Sequence, residues 1–273
     1  MIERTLGSHG AKLLKGLREF NKRTFGIKDA INILNSRYGA IVWLLNDLER
    51  KGWLFRLKKG KYIVVPQDME KGFPVDWFVI ARELVDIDEY YLFGYSALVL
   101  QNMITHPVMT VFIASPSRYR SRQILDVKFK FISIARDKIW GVEEKWITEQ
   151  DKVKVSDLER TVLDCLAFPK YAGGVTEVWQ GVLRRKKDFD YAKFYRYIEN
   201  FGNFAVGRRF GYLAESSGLD MGGLLPKFQK LAENTKGYSL LDPSLSDEGK
   251  YFAKWGLRIN IPPEDLKGIM RIR

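Results

Sequence analysis

The sequence predicts an α+β protein, built from a small N-terminal module and a larger C-terminal domain. Three observations support this fold class. Helical apolar periods followed by a basic hairpin occupy the first quarter of the chain, short strands alternate with helices between residues 75 and 155, and helical periods dominate from residue 156 to 233. The predicted order is therefore a helical module, a mixed α/β region and a helical subregion.

Three helices are predicted at the N-terminus. The first covers His9–Lys22, the second Ile27–Leu34 and the third Ser36–Lys51, each with apolar residues three and four apart on one face. Ser36 is a preferred residue type for the N-cap of the third helix, and Gly52 is suited to end it. The second and third helices are thus expected to be joined by a tight turn.

A basic β-hairpin is predicted directly after the third helix. Its strands are Trp53–Leu57 and Lys61–Val65, and the connection between them contains the glycine that a tight hairpin favours. From Lys51 to Pro66 there are five basic residues and no acidic one. Three helices and a hairpin in this order predict a winged helix-turn-helix over 1–66, followed by a linker at 67–74 and a C-terminal α+β domain at 75–273.

The charge of the chain is concentrated in this module. The net charge is +12, and residues 1–66 carry 14 Lys and Arg against 5 Asp and Glu, which leaves only +3 for the other 207 residues. A cationic excess on one module indicates a polyanionic partner, and we expect duplex DNA. The alternative is a winged helix that contacts proteins and carries a solvated basic face.

Seven residues are the candidate DNA contacts. In such a module the second helix of the pair lies in the major groove, so its first residues face the bases and the hairpin reaches the backbone. Arg37 could bind a guanine edge or a phosphate. The residues expected at the bases are Ser36, Arg37 and Tyr38, and those expected at phosphates are Arg56, Lys58, Lys59 and Lys61.

The C-terminal domain begins with a mixture of helices and strands and continues with helices. Strands are expected at Tyr90–Phe93, Val108–Ala114, Leu125–Ile134, Ile139–Ile147, Tyr238–Leu241 and Trp255–Ile261. Helices are expected at Val75–Val85, Ser96–Met103, Asp157–Phe168, Val175–Arg184, Tyr191–Asn200, Val206–Ser217 and Leu224–Glu233.

One catalytic alternative is a metal-dependent nuclease. Asp126 in one predicted strand, with Glu143 and Lys145 in the next, forms the acid and acid-x-Lys pattern with which restriction-type nucleases hold a divalent metal and activate water. A charged strand surface is the favoured interpretation of the same residues, because nothing in the sequence marks a metal pocket. We expect a protein that is not an enzyme and that has no metal or cofactor.

A second basic patch follows the strand that ends at Ala114. Arg118, Tyr119, Arg120 and Arg122 alternate cations with an aromatic ring, which suits a phosphate backbone, an RNA base or a toxin-related surface. A solvated charged loop is the other interpretation.

The remaining composition indicates a soluble, cytoplasmic protein. The most apolar stretch, Tyr90–Leu100, is too short to span a bilayer, so no membrane partner is expected. A single cysteine, Cys165, cannot form an internal disulfide and fits a reducing compartment.

The segment from Ser156 to Pro169 contains a helix-start signal. Ser156 and Glu159 have the spacing of a capping box, and the apolar residues that follow form a helical stripe. Arg160 is poorly placed for the helix dipole, so we expect it to pair with a nearby acid in a structural ion pair.

Several short motifs together resemble the AbiEi family of antitoxins and predicted transcriptional regulators. In order they are Gly94-Tyr-Ser-Ala-Leu98, Ser156-Asp-Leu-Glu-Arg-Thr161, Leu163-Asp164, Pro169, Gly173-Gly174, Arg208-Arg-Phe-Gly-Tyr-Leu213 and Gly218. The resemblance runs from about residue 10 to Ser217.

The resemblance implies a protein of a type IV toxin-antitoxin, or abortive-infection, system that acts in phage defence. Its N-terminal domain would bind inverted repeats in the promoter of its own operon and repress it. Its C-terminal domain would counteract a nucleotidyltransferase toxin without a stable complex. A stand-alone winged-helix regulator without antitoxin activity is the alternative.

Overall fold

A computed structural model of the chain describes residues 5–65, 76–233 and 237–270. The chain divides into two compact units, Met1–Asp86 and Ile87–Arg273. Helices and sheets occur in both units, which confirms the predicted α+β class. The linker expected at 67–74 lies outside the described residues.

Three helices form the core of the first unit. Their apolar stripes face one another because residues three and four apart share a helix face, and Leu13, Leu17, Ile41 and Leu45 are almost completely buried between them. The helices are α1 (Ser8–Glu19), α2 (Ile27–Leu34) and α3 (Tyr38–Arg50).

Helix α3 ends as the sequence predicts. Gly52 has a φ of 72° and donates its N–H to the carbonyl of Glu49 at 2.9 Å, while Trp53 donates to Leu48 at 2.9 Å. This pair of bonds is a Schellman motif, which satisfies the last carbonyl groups of the helix. It turns the chain directly into the hairpin.

A three-stranded sheet, in the order β1-β3-β2, completes the first unit. β2 (Leu54–Lys58) and β3 (Lys61–Val64) are the predicted hairpin, with Gly60 at a φ of 76° in the turn. The strand β1 (Thr24–Gly26) was not expected, because three residues without alternation carry no strand signal.

Helix α4 (Trp77–Leu84) belongs to the first unit rather than to the C-terminal domain. The helix contacts β2, and Glu83 and Asp86 at its C-terminal side pair with lysines of the hairpin. Those contacts join elements more than 20 residues apart, so the boundary falls at Asp86 and not before residue 75.

A six-stranded mixed sheet forms the first half of the second unit. Its order is β6-β7-β5-β4-β9-β8, in which β5 pairs in parallel with β7, and β4 with β9. Of these strands, β6 and β9 were not predicted. The strands are β4 (Tyr91–Leu92), β5 (Thr110–Ser115), β6 (Arg122–Ile124), β7 (Val127–Ser133), β8 (Val142–Trp146) and β9 (Lys152–Ser156).

Helices and a second small sheet pack into one apolar cluster in the rest of the unit, centred on Trp179, Phe194, Phe210 and Phe228. The helices are α5 (Tyr95–Leu100), α6 (Leu158–Ala167), α7 (Val175–Arg184), α8 (Tyr191–Phe201), α9 (Phe204–Ser217), α10 (Leu225–Glu233) and α11 (Pro263–Met270), and the strands are β10 (Ser239–Leu240), β11 (Lys250–Phe252) and β12 (Leu257–Ile259).

The start of α6 differs from the predicted capping box. The N-cap is Asp157, whose carboxylate accepts the Arg160 N–H at 2.8 Å. Ser156 instead lies in β9, where its hydroxyl is buried 2.7 Å from that of Thr161. Glu159 accepts the N–H of Asp190 at 2.9 Å. The prediction failed because two adjacent residues can both cap a helix, and strand pairing uses Ser156.

The expected structural ion pair of Arg160 is confirmed. Its Nε donates to the carboxylate of Asp164 at 2.9 Å, and both side chains are almost fully buried. The guanidinium carbon lies 4.0 Å from the Trp140 ring centroid, and Tyr91 donates its hydroxyl to Asp164 at 3.0 Å. Burial raises the pKa of Asp164 to about 6, against the pull of the neighbouring cation.

Two buried arginines on α9 hold the small sheet. Arg208 donates to the carbonyl of Gly256 at 3.0 Å, and Arg209 donates to the carbonyls of Leu240 at 3.0 Å and Leu166 at 2.7 Å. Burial lowers the pKa of Arg209 to about 10. The Arg208–Leu213 motif therefore connects α9, α6 and the small sheet. Its contacts stabilise the fold.

Candidate nucleic-acid interface

The turn between α2 and α3 is short and well defined. Asn35 adopts a left-handed conformation with a φ of 48°, and the hydroxyl of Ser36 donates to the carbonyl of Leu34 at 3.2 Å. The N-cap position of α3 is taken by Arg37, without a side-chain capping bond. The expectation that Ser36 caps this helix is therefore wrong, because its hydroxyl closes the turn before it.

The first turn of α3 is open to solvent. Arg37 and Tyr38 are exposed, with 62 % of the Tyr38 surface accessible. Within the described residues, Arg37 has no carboxylate partner. Ser36 is half-buried, so the structure brings two of the three predicted base-facing side chains to the surface of the helix.

Farther along α3, the exposed face carries a residue that the sequence reasoning missed. Trp43 is 69 % exposed, and Gly39, Ala40 and Asn46 lie on the same side of the helix. The signal was available, because the buried stripe of the helix excludes position 43. A tryptophan this exposed leaves a large apolar surface in contact with water.

Two hairpin cations are free of ion pairs in the part of the chain that the structure describes. Arg56 is exposed, and its guanidinium carbon lies 5.9 Å from the ring centroid of Tyr62. Lys59 is exposed at the hairpin tip, next to Gly60. Both cations can therefore approach an anion without breaking an existing pair.

The other two hairpin lysines are engaged within the unit. Lys58 pairs with Asp86 at 2.7 Å and donates to the carbonyl of Val85 at 3.0 Å. Lys61 pairs with Glu83 at 2.6 Å. Both Nζ atoms thus point to α4 and the residues after it. Of the four cations expected at phosphates, Lys58 and Lys61 are therefore already paired with carboxylates, whereas Arg56 and Lys59 are not paired among the described residues.

The hairpin tip lies against the N-terminus of α2. Ile27 donates its N–H to the carbonyl of Gly60 at 3.3 Å, which brings Lys59 close to the exposed Lys28. Gly60 allows this approach, because its φ of 76° is strained for any residue with a Cβ. The exposed Lys28 at the start of α2 is therefore a second cation near the hairpin tip.

Two acidic groups on the helices of this unit, Asp29 and Asp47, have cation partners. Burial opposes the ionisation of Asp29, but the Gly26 N–H and the Lys22 ammonium outweigh it and lower the pKa of this carboxyl. Asp47 pairs with Lys51 at 2.6 Å. These two carboxylates therefore do little to offset the unpaired cations on the helix and hairpin.

The second basic patch is only partly open. Arg118 and Arg120 are exposed in the connection between β5 and β6. Tyr119 packs on Phe131, with ring centroids 5.2 Å apart, so one face of its ring is already covered. Arg122 begins β6 and is half-buried opposite Phe129.

The structure does not bring the nuclease triple together. Asp126 lies in the turn between β6 and β7, at one edge of the six-stranded sheet, whereas Glu143 and Lys145 lie on β8 at the other edge. Five strand spacings of about 4.8 Å separate the edges by roughly 24 Å. Gln101 donates to Glu143 at 2.8 Å and lies 3.3 Å from the Lys145 Nζ.

The described residues contain neither a metal cluster nor a membrane-spanning helix. No group of three or more His, Cys, Asp or Glu in them has the arrangement of a metal site. Among their helices, none combines the length and the apolar character that crossing a membrane requires.

Comparisons with known proteins find a similarity of fold only. No family model matches the chain, and no curated protein matches it. Among solved structures, the crystal structure of the RV2827C protein from Mycobacterium tuberculosis is similar, with a TM-score of 0.72 at 16 % identity. The similarity covers 98 % of this chain and 97 % of that one. The chain therefore shares the fold of that protein over nearly its whole length.

Proposed function

We propose that the first unit is a winged helix-turn-helix that binds duplex DNA. Helix α3 would enter the major groove, with α2 crossing behind it and the hairpin as the wing. One observation carries the proposal: Arg37, Arg56 and Lys59 are exposed around α3 and the hairpin without a carboxylate partner among the described residues. A surface of this charge attracts phosphates and gives salt-dependent binding.

The contacts would divide into two kinds. Arg56 and Lys59 would bind phosphates and orient the protein without reading sequence. Arg37 and Tyr38 would lie at the base edges or the flanking backbone, and Trp43 and its neighbours would supply apolar contacts such as those to a thymine methyl group. The small residues on that face favour close approach of the helix to the groove.

Lys58 and Lys61 would position the wing rather than bind DNA. Their pairs with Asp86 and Glu83 tie both sides of the hairpin turn to one segment of the chain. A wing held in place loses less conformational entropy on binding than a free hairpin.

We further propose that the whole chain is a cytoplasmic AbiEi-type antitoxin and autoregulator. It would bind inverted repeats in the promoter of its own operon and oppose a nucleotidyltransferase toxin without a stable complex. The support is the resemblance of the short motifs, notably Ser156–Thr161 and Arg208–Leu213. Residues of both motifs make buried contacts that stabilise the second unit. The motifs therefore support a fold shared with the AbiEi family more directly than a functional site shared with it. Neither catalysis nor a cofactor is part of this proposal.

Mobility shifts on the DNA upstream of its own gene test the binding half. We expect the double variant R56A/K59A to weaken binding to all duplexes and to lower the slope of log K against log salt by about 1.8, since each phosphate contact contributes about 0.9. The matched control is K12A/K15A on α1, with the same charge change. Equal effects of both double variants would contradict the assignment.

Co-expression with the product of the adjacent gene tests the antitoxin half. Relief of growth arrest by the chain, and by the DNA-binding variant R56A/K59A under an independent promoter, is expected of an antitoxin. If the chain represses its promoter but never relieves arrest, the stand-alone regulator is correct.

A further inference from the structure

A small cavity opens on one face of the six-stranded sheet in the second unit. Its volume is about 280 Å³, and it lies where β5, α5 and the short helical turn at Pro169–Tyr171 meet. Its walls are mostly aromatic and apolar, and a single lysine stands among them. The residues that matter for its chemistry are Tyr95, Met109, Phe112, Lys170 and Tyr171.

The floor of the cavity is a pair of aromatic rings with an ammonium group over each. Phe112 and Tyr171 have centroids 5.6 Å apart and planes inclined by 59°. Lys130 lies 5.9 Å from the Phe112 centroid, and Lys170 lies 4.9 Å from the Tyr171 centroid. Phe112 is largely buried, with 8 % of its surface accessible, and Tyr171 is half-buried, so the rings offer a planar group only part of their apolar surface, while the two cations can bind an anion attached to that group.

A further lysine extends the positive charge along the sheet. In the β5–β7 pairing, Thr110 lies opposite Lys128 and Phe112 opposite Lys130, so both lysines project on the face that carries the cavity. Both are exposed. Lys128 and Lys130 are two residues apart on β7, so their backbones are about 6.6 Å apart along the strand. This row of lysines is longer than a single phosphate next to the cavity could contact.

One acidic residue lies close to the wall of the cavity. Glu177 lies beside Gly173, 3.5 Å from the position that a Cβ would take there, and 3.9 Å from the ring nitrogen of His106. A carboxylate beside Gly173 disfavours a phosphate there, whereas the lysines on β7 favour a phosphate next to the sheet.

We propose that this face binds a single strand of nucleic acid. One unstacked base enters the cavity against Phe112 and Tyr171, and the phosphates on either side follow Lys170, Lys130 and Lys128. A duplex is excluded because its bases are stacked and cannot enter a cavity singly. A free nucleotide would leave Lys128 unused. The site is separate from the proposed duplex-binding surface of the first unit.

Fluorescence anisotropy of the full chain with a labelled single strand of about twelve nucleotides tests the charged row. The variant K128A/K130A should lower the slope of log K against log salt by about 1.4, because each single-strand phosphate contributes about 0.7. The matched control K186A/K187A removes two exposed charges elsewhere and should leave the slope unchanged. Duplex binding should be the same in both variants. Equal slopes in both variants overturn the proposal.

A second experiment tests the base pocket. Y171L keeps an apolar side chain and should weaken strand binding about tenfold through lost stacking, with Y251L as the exposed-ring control. Because Y171L could also disturb folding, photocrosslinking of a thiouridine-containing strand to the unaltered chain provides an independent result. Crosslinks to residues 109–112 or 169–173 support the proposal. Crosslinks confined to the first unit overturn it, as does competition by free AMP as strong as that by the strand.

Discussion

Replacing Arg160 by methionine tests whether the Ser156–Thr161 motif is a folding element. The change removes a guanidinium that donates to Asp164, to the carbonyls of Lys138 and Trp140, and lies near the hydroxyl of Tyr91. It leaves a fully buried carboxylate whose remaining donor is Tyr91. Breaking a buried pair from one side costs about 3–5 kcal/mol. At about 2–4 °C per kcal/mol, the melting temperature of the second unit should fall by roughly 6–20 °C.

The loss of stability caused by R160M should depend on pH in a defined direction. The pKa of Asp164 is about 6 in the folded protein, above that of an unfolded aspartate, so folding takes up a proton between about pH 4 and pH 6. Without Arg160 this pKa rises further. The carboxyl is then neutral at about pH 5 and charged at higher pH, so R160M should be less destabilising at pH 5 than at about pH 7.5.

Urea unfolding followed by circular dichroism at both pH values measures this difference. The control K154M breaks the pair of Lys154 with the exposed Asp88 and should cost less than about 1 kcal/mol at either pH. R160M/D164L should recover most of the loss, because the buried charge is gone. A cost below about 1 kcal/mol for R160M, or one that is the same at both pH values, would refute the buried-pair argument.

Three further predictions follow from single contacts. W43A should weaken DNA binding without changing the melting temperature, whereas W179A, at a buried site, should cost about 3–5 kcal/mol in thermal unfolding. D29N should lower stability at neutral pH, and because the pKa of Asp29 is lowered, a pH titration of unfolding should show the difference shrink progressively as the pH falls below about 4. G211A places a Cβ 2.2 Å from the Trp255 ring, so it should destabilise the second unit in a thermal melt, while G39A, with open space around it, should not.

Much of the fold could be predicted from periodicity, because local patterns determine most helices. Helices α2 and α7 have the predicted bounds, and Gly52 ends α3 as expected. The strands β1, β6, β9 and β11 were missed. β1 is three residues long and pairs with the distant β3, and non-local pairing carries no signal in a single segment. In contrast, β9 pairs with β8, its neighbour in the chain, and its alternating sequence is a strand signal that was overlooked.

The exposure of the candidate site residues could be predicted only in part. Arg37, Arg56 and Lys59 are exposed as expected, whereas Lys58 and Lys61 are paired with acids 28 and 22 residues farther along the chain. A sequence shows which residues of a hairpin are charged. It does not show which of these charges form ion pairs with acids elsewhere in the fold. The exposure of Trp43 could have been predicted, because its position falls outside the apolar stripe of α3.

The most direct test of the central proposal is the affinity of the chain for its own upstream duplex against a shuffled duplex at about 150 mM salt. Specific binding should be tighter by at least about a thousandfold. R37A should reduce that ratio, and R56A/K59A should weaken both duplexes alike. Equal affinity for the two duplexes, or no effect of either variant on DNA binding, would contradict a DNA-binding function for this surface.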